Sequence, residues 1–253
     1  MTNERDYEII SSIELRNELD EQPEPRVNLR SNMPSLDAAV EGFRPGELII
    51  ISGPTKHGKT LLAQTLTKEF TEQNHLCLWF SFEVPPRQFL DSFPELPLFY
   101  MPRKLKVNAL QWIVSKCREA YGKHHTRVVF IDHLHYLFDI AKTRNPSIEI
   151  GTVIRGLKTL AVQSELIVFL LCHTRKGASE ATTYESIRDS SFVSQESDSV
   201  LMIRRNTKIP GSAESRLCVE FHRRTGVLNR KVDLVKVGGY LREESKAEGG
   251  NVQ

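Results

Sequence analysis

The stretch "ISGPTKHGKTLLAQTL", residues 51–66, decides the reading of the chain. It begins as an apolar strand, breaks into small and polar residues, and resumes in a helical pattern headed by Lys59 and Thr60. Residues 53–60 fit G-x-x-x-x-G-K-S/T, a phosphate-binding loop when it lies between a strand and a helix. Gly53 and Gly58 permit backbone conformations closed to residues with a β-carbon, so that successive N–H groups can turn toward phosphate oxygens. Lys59 supplies a point charge for the β- and γ-phosphates, Thr60 a hydroxyl for Mg²⁺, and the helix beginning there the positive end of its dipole. The expected nucleotide contacts run over Gly53, Pro54, Thr55, Lys56, His57, Gly58, Lys59, Thr60 and Leu61.

Outward from this loop, apolar runs alternate with helical ones. "ELIIIS" (47–52), "LCLWFS" (76–81), "RVVFID" (127–132) and "LIVFLLC" (166–172) read as strands. Helices are expected from Lys59, near "PPRQFLDSF" (85–93), over 108–121 and over 147–163. Such alternation implies crossover connections and an α/β fold, with a mostly parallel sheet covered by helices on both faces. "SVLMIRR" (199–205), "RLCVEFHRR" (216–224) and "VDLVKV" (232–237) follow at short intervals and read as added strands or hairpins, which give the sheet antiparallel strands toward its C-terminal end. Ahead of the sheet, residues 6–20 carry Ile9, Ile10, Ile13, Leu15 and Leu19 at helical spacing, and Pro23 and Pro25 end that helix. The expected organisation is an arm and linker over 1–25, one ATPase-type domain over 26–242 and a polar, disordered tail over 243–253. The arm could fold back on the core or dock on a neighbouring subunit.

Composition is that of a soluble globular protein, with 40% hydrophobic and 26% charged residues among 253. No run approaches the roughly 20 apolar residues of a membrane span, and "MTNERDYEII" does not read as a secretory signal. Cys77, Cys117, Cys172 and Cys218 lack C-x-x-C spacing and read as buried thiols of a reducing compartment, which makes the cytoplasm the expected location. The formal charge of +2 neither implies nor excludes a polyanionic partner.

Two carboxylates end apolar strands. Asp132, closing "RVVFID", is the expected partner of Thr60 at the metal. In a parallel sheet the carboxyl ends of strands share one edge, so Asp132 and Glu83, which follows "LCLWFS", both come to the phosphate loop. Glu83 is placed to orient or polarise an attacking water, or stands merely solvated. His133 and His135 could share a face as a metal pair, but no Cys or Glu cluster beside them in sequence completes a zinc sphere, and polar residues are expected after a strand-ending aspartate.

Taken in order, these motifs resemble the RecA-like ATPase core of DnaB-type replicative helicases over about residues 27–240. Residues 28–60 are similar to the family's short helix and G-x-x-P-G-E-L turn before the phosphate loop. "WFSFEV" (79–84) resembles F-S-L-E-M, which implies that Glu83 is the catalytic base. "VVFIDHLHYL" (128–137) is similar to V-I-D-Y-L-Q-L, and residues 186–205 match a D-L-R-E-S-G-x-I-E-Q-D-A-D segment at Arg188, Ser190, Gln195 and Asp198. Two departures stand out. His173 replaces a strand-end glutamine, and a neutral imidazole there can still donate one bond to a γ-phosphate. K-Q-R-N-G becomes residues 222–226, with His222 for the lysine and Arg224 retained. The family's amino-terminal collar domain has no counterpart in this sequence, where only the short arm stands ahead of the core.

The resemblance implies ATP and Mg²⁺ as cofactors, hydrolysis completed by Arg224 reaching into a neighbouring subunit, and a homo-oligomer, a hexameric ring. It implies single-stranded DNA in the central channel, contacted by Lys142, Arg144, Arg175, Lys176 and Arg188, with replication proteins as further partners. Its activity would be that of a DNA helicase or translocase in replication. Two rival readings stay open: a nucleotide-switched regulatory or assembly ATPase of the RecA/KaiC-like group, and a recombinase accessory paralogue.

Overall fold

The computed structural model describes residues 9–21, 27–138, 146–174, 190–207, 209 and 211–244. Its centre is one eight-stranded sheet. In chain order the strands are β1 (Leu48–Gly53), β2 (Cys77–Ser81), β3 (Val128–Asp132), β4 (Ile167–His173), β5 (Ser199–Arg205), β6 (Glu214–His222), β7 (Leu228–Val237) and β8 (Tyr240–Glu243). They lie in the order β2-β3-β4-β1-β5-β6-β7-β8. The first five pair in parallel, and β6, β7 and β8 continue the sheet as antiparallel neighbours. The expected α/β class is the one observed. Strand β8 has no counterpart among the strands expected from sequence, because "YLRE" is too short and too charged to stand out. It ends at Glu243, whose carboxylate accepts the Ser35 N–H at 2.8 Å.

Continuous apolar runs form β1 to β4 because both faces of that part of the sheet are buried, so neither alternate set of side chains meets water. Ile49, Ile51, Trp79, Phe130, Phe169 and Leu171 point to one core, shared with α2 (Pro34–Val40), α3 (Lys59–Glu72) and α4 (Pro86–Asp91) through Leu36, Leu66, Phe70 and Phe89. Leu48, Ile50, Phe80, Val129, Ile131 and Leu170 point to the other, closed by Ile113 and Cys117 of α5 (Leu110–His124) and by Ile154 and Leu157 of α6 (Pro146–Gln163). In the first core Phe130 stacks on Phe169 at 4.7 Å and on Trp79 at 4.8 Å between ring centroids. Such contacts add roughly 0.5–1.5 kcal/mol each beyond the burial of area. The Trp79 indole N–H is satisfied by Thr67 Oγ1 at 2.9 Å, so Trp79 is a core residue. Cys77, Cys117 and Cys172 are buried free thiols, and Cys218 is half-buried.

The arm helix α1 spans Ser12–Glu21, several residues later than the apolar spacing predicts. A reciprocal cap sets its start, with Glu14 N–H on Ser11 Oγ at 3.1 Å and Ser11 N–H on Glu14 Oε2 at 2.9 Å. None of its residues is buried. The helix α7 (Ser190–Glu196) leads into β5. There Asp198 accepts the Leu48 N–H at 2.8 Å and pairs with Lys158 at 2.7 Å. Asp198 therefore fastens the start of β1, at the end of the strand remote from the phosphate loop.

Candidate functional site

Strand register brings the site together. Gly53 lies beside His173, and Ser81 beside Asp132, which is itself the partner of Leu171. The carboxyl ends of β1, β4, β3 and β2 thus follow one another along one sheet edge, with Glu83 two residues beyond β2.

The loop from β1 to α3 depends on its glycines. Gly53 has φ +149°, and a β-carbon there would meet the Ile203 carbonyl oxygen at 2.2 Å, so β5 backs the loop too closely for any side chain. Gly58 caps α3 at φ +97°. Within the loop Lys56 adopts φ +68°, and Thr55 and Lys56 are exposed. His57 Nδ1 accepts the Arg205 N–H at 3.2 Å, a second tie to β5. Leu61 packs on the core. Lys59 is only 6% exposed, and its ammonium donates to the carbonyls of Gly53 at 3.0 Å and Pro54 at 2.9 Å. Burial lowers its pKa, while the nearby carboxylates Asp132 and Glu83 oppose the shift.

Thr60 Oγ1 donates to Asp132 Oδ2 at 2.9 Å. Burial raises the Asp132 pKa to about 6, with the Thr60 hydrogen bond acting against it. A hydroxyl and a carboxylate side by side are hard oxygen donors of the kind Mg²⁺ takes, and a lysine within an αL-rich glycine loop suits a polyphosphate. The residues present therefore fit a magnesium–nucleotide complex.

The third part of the edge holds Glu83, His133 and His173. Their ligand-capable atoms all lie within 4.8 Å of one another. His173 Nε2 stands 3.7 Å from Glu83 Oε1, and its ring centroid 4.5 Å from that of His133. Burial, then the neighbouring cations, lower both histidine pKa values, that of His133 to about 3. Both shifts favour the neutral ring. His133 and His135 do approach, with Nδ1 atoms 3.2 Å apart. The expectation that no Cys or Glu cluster gathers near His133 is corrected: Glu83 arrives from just beyond the adjacent strand β2, and His173 from the end of β4, neighbours that linear sequence does not show.

Arg224 is elsewhere. Its guanidinium donates to Glu47 Oε1 at 3.0 Å, to Glu41 Oε2 at 3.2 Å, and to the carbonyls of Val40 and Gly42 at 2.7 Å each. Glu47 immediately precedes β1, so Arg224 stands a strand's length, about 20 Å, from the phosphate loop of its own chain. His222 is buried and directed toward Glu47, at 3.8 Å, rather than outward as a lysine in its place could be. Lys142, Arg144, Arg175, Lys176 and Arg188 lie outside the described residues.

A glycine loop at the end of β1, a metal-type aspartate two strands away and a glutamate beyond it define the core of a RecA-like P-loop nucleoside triphosphatase. Comparison makes this more specific. The chain belongs to the DnaB-like helicase C terminal domain family, whose model matches residues 28–94 and 93–235. A curated relative, the replicative DNA helicase DnaB of Leifsonia xyli subsp. xyli (strain CTCB07), is 23% identical over 228 residues, 74% of this chain and 50% of the relative. The chain therefore spans half the length of that helicase. Among solved structures, one described as an ATPase domain superposes with a TM-score of 0.77 at 17% identity, covering 92% of this chain and 96% of the other. A DnaB-like replicative helicase, whose structure was described with its interactions with primase, gives 0.76 at 18% identity over 92% of this chain and 66% of the other. The RadB recombinase gives 0.65 at 14% identity over 85% and 99%. At these identities the structural likenesses establish the fold.

Proposed function

We propose that the chain is the ATP-hydrolysing motor of a DnaB-type helicase, acting on single-stranded DNA in replication as a ring of identical subunits. The observation that supports this reading is the shared edge of β1, β4, β3 and β2, along which the Thr60–Asp132 hydrogen bond and the approach of Glu83 to His173 both lie, in a chain of this family. Lys59 exchanges its loop carbonyls for β- and γ-phosphate oxygens. Thr60 and Asp132 turn their oxygens to Mg²⁺ and its water shell. When bound, Mg²⁺ neutralises charge on the phosphates and fixes their geometry. Glu83 accepts the proton of the attacking water, and neutral His173 donates a hydrogen bond toward the γ-phosphate. Arg224 of the next subunit stabilises the transferred charge in trans.

Basic residues of the loops after β3 and β4 would hold the DNA backbone, giving salt-sensitive binding with little sequence preference. Among the described residues no helix is long and apolar enough to cross a membrane. The cytoplasm is the proposed place of action. A primase-type partner is the further expectation, by analogy with the structural relative named above.

Glu83→Gln tests the reading. The variant should bind ATP as the parent does and hydrolyse it about 10²–10⁴-fold more slowly, the usual worth of a positioned base. The parent should show DNA-stimulated hydrolysis and displace a strand from a forked duplex. A parent whose ATPase ignores DNA, or a Glu83→Gln protein with unchanged turnover, would sink it.

A further inference from the structure

His133 and His173, 40 positions apart in the sequence, converge on Glu83 in space. His133 and His173 meet almost edge to face, with 74° between the rings, so they do not simply stack. The His173 Nε2 to Glu83 Oε1 distance of 3.7 Å is too long for a hydrogen bond. It is, however, the spacing of two donors sharing an ion: metal–ligand bonds of about 2.0–2.3 Å in a tetrahedron hold their donor atoms about 3.3–3.8 Å apart. The widest separation in the trio, at most 4.8 Å, closes to that range with side-chain shifts of about 1 Å.

Donor chemistry selects the ion. Two neutral imidazoles and a carboxylate suit zinc-class divalent transition metals, whereas Mg²⁺ prefers the oxygen pair Thr60 and Asp132. Support for the ligand geometry is also present. His133 Nδ1 accepts the His135 backbone N–H at 3.4 Å and lies 3.2 Å from His135 Nδ1, contacts that hold the ring in orientation. His173 turns Nε2 toward Glu83, while its Nδ1 is buried with no hydrogen-bond partner among the described residues. Glu83 is 40% exposed and leaves an approach from solvent.

We propose that Glu83, His133 and His173 form a binding site for a zinc-class divalent metal ion, separate from the magnesium pair. Three protein ligands leave a fourth position to water. An ion there takes the Glu83 carboxylate out of use as a base, so the metal acts as a brake on hydrolysis. That consequence, unlike the binding itself, rests on the function proposed above.

Co²⁺ titrated into nucleotide-free protein tests the site, because its visible d–d absorption reports four- or five-coordination directly. One saturable Co²⁺ per chain is expected, displaced by Zn²⁺ and not by excess Mg²⁺. His133→Tyr, His173→Gln and Glu83→Gln should each weaken Co²⁺ binding by at least about 100-fold, since loss of a ligand exceeds the usual 10–100-fold cost of losing its outer partner. Glu83 is exposed, so Glu83→Gln keeps the test valid should a histidine variant fail to fold. A parent without a saturable band, displacement by Mg²⁺, or a folded variant that retains parental affinity would overturn the site. Lys59→Ala separates the two claims: it should lose nucleotide yet keep the Co²⁺ band. Loss of that band in Lys59→Ala would also count against an independent metal site. Zn²⁺ should inhibit the parent's ATPase in the presence of excess Mg²⁺, and full activity with the site loaded would refute the brake alone.

Discussion

The Thr60 hydroxyl donates to Asp132 at 2.9 Å, joining the first turn of α3 to the last residue of β3. Asp132 is 3% exposed, so in the nucleotide-free chain this bond is what meets part of the cost of its burial. The same two oxygens are the proposed magnesium donors, which makes the pair an internal stand-in for the ion. Thr60→Val removes the hydroxyl at nearly constant volume. Its Mg²⁺-dependent ATP affinity should fall about tenfold or more, equivalent to about 1.4 kcal/mol. Affinity measured in EDTA should change little. Equal losses in both conditions would show that Thr60 acts through the loop and not through the metal.

The glycines of the loop make separable demands. At Gly53 a β-carbon would collide with the Ile203 carbonyl at 2.2 Å, and β5 cannot retreat without breaking its register with β1. At Gly58 the nearest atom is Ile203 Cδ1 at 3.6 Å, so alanine meets only the backbone strain of φ +97°. Gly53→Ala should therefore abolish nucleotide binding and lower the melting temperature, whereas Gly58→Ala should cost about 1–2 kcal/mol and retain weakened binding. Calorimetric titration with a non-hydrolysable ATP analogue, beside thermal denaturation, checks both. Equal effects would remove the argument from close approach.

Much of this arrangement is legible in the chain because several constraints coincide there. Parallel strands buried on both faces must be apolar throughout, so "ELIIIS", "RVVFID" and "LIVFLLC" declare themselves, and a carboxylate at the end of such a run can only emerge at the sheet edge. Relationships between strands are less visible. That Ser81 lies beside Asp132, and that Glu83 reaches His133, follows from sheet order, which no local periodicity encodes. The partners of Arg224 are hidden for the same reason: Glu47 and Gly42 belong to the turn before β1, more than 170 residues away in sequence. The start of α1 departs from expectation because local chemistry, the Ser11–Glu14 cap, overrides an apolar spacing that begins earlier.

His222 gives a pH dependence. It is 1% exposed, and burial, reinforced by Arg224, lowers its pKa from 6.5 to about 4. The unfolded chain therefore takes up this proton first as the solution is acidified. The stabilising contribution is complete above about pH 6.5 and is lost as pH falls toward 4. Over that interval the loss amounts to roughly 3 kcal/mol. His222→Gln should flatten the stability profile in this window. Urea denaturation at a series of pH values reads the slope directly, and an unchanged slope in the variant would assign it to other groups.

Arg224 is the residue to which the proposed function assigns a role across the subunit boundary. Its guanidinium caps the end of α2 through the carbonyls of Val40 and Gly42 and neutralises the buried Glu47, so it has work within its own chain. Arg224→Ala should cost about 1–3 kcal/mol of stability, the expense of leaving a buried acceptor without its donor. Lysine, a point charge on a flexible stem, cannot reproduce the forked contacts and should restore little. A trans role adds a result that a capping role does not. Arg224→Ala retains Lys59 and an intact nucleotide site, while Lys59→Ala retains an intact arginine to lend. Each variant alone should be nearly inactive, and mixing them should recover ATPase at the hybrid interfaces where an intact site faces an intact arginine. Activity that never exceeds the sum of the separate variants would confine Arg224 to its own subunit and leave the neighbour's contribution to another residue.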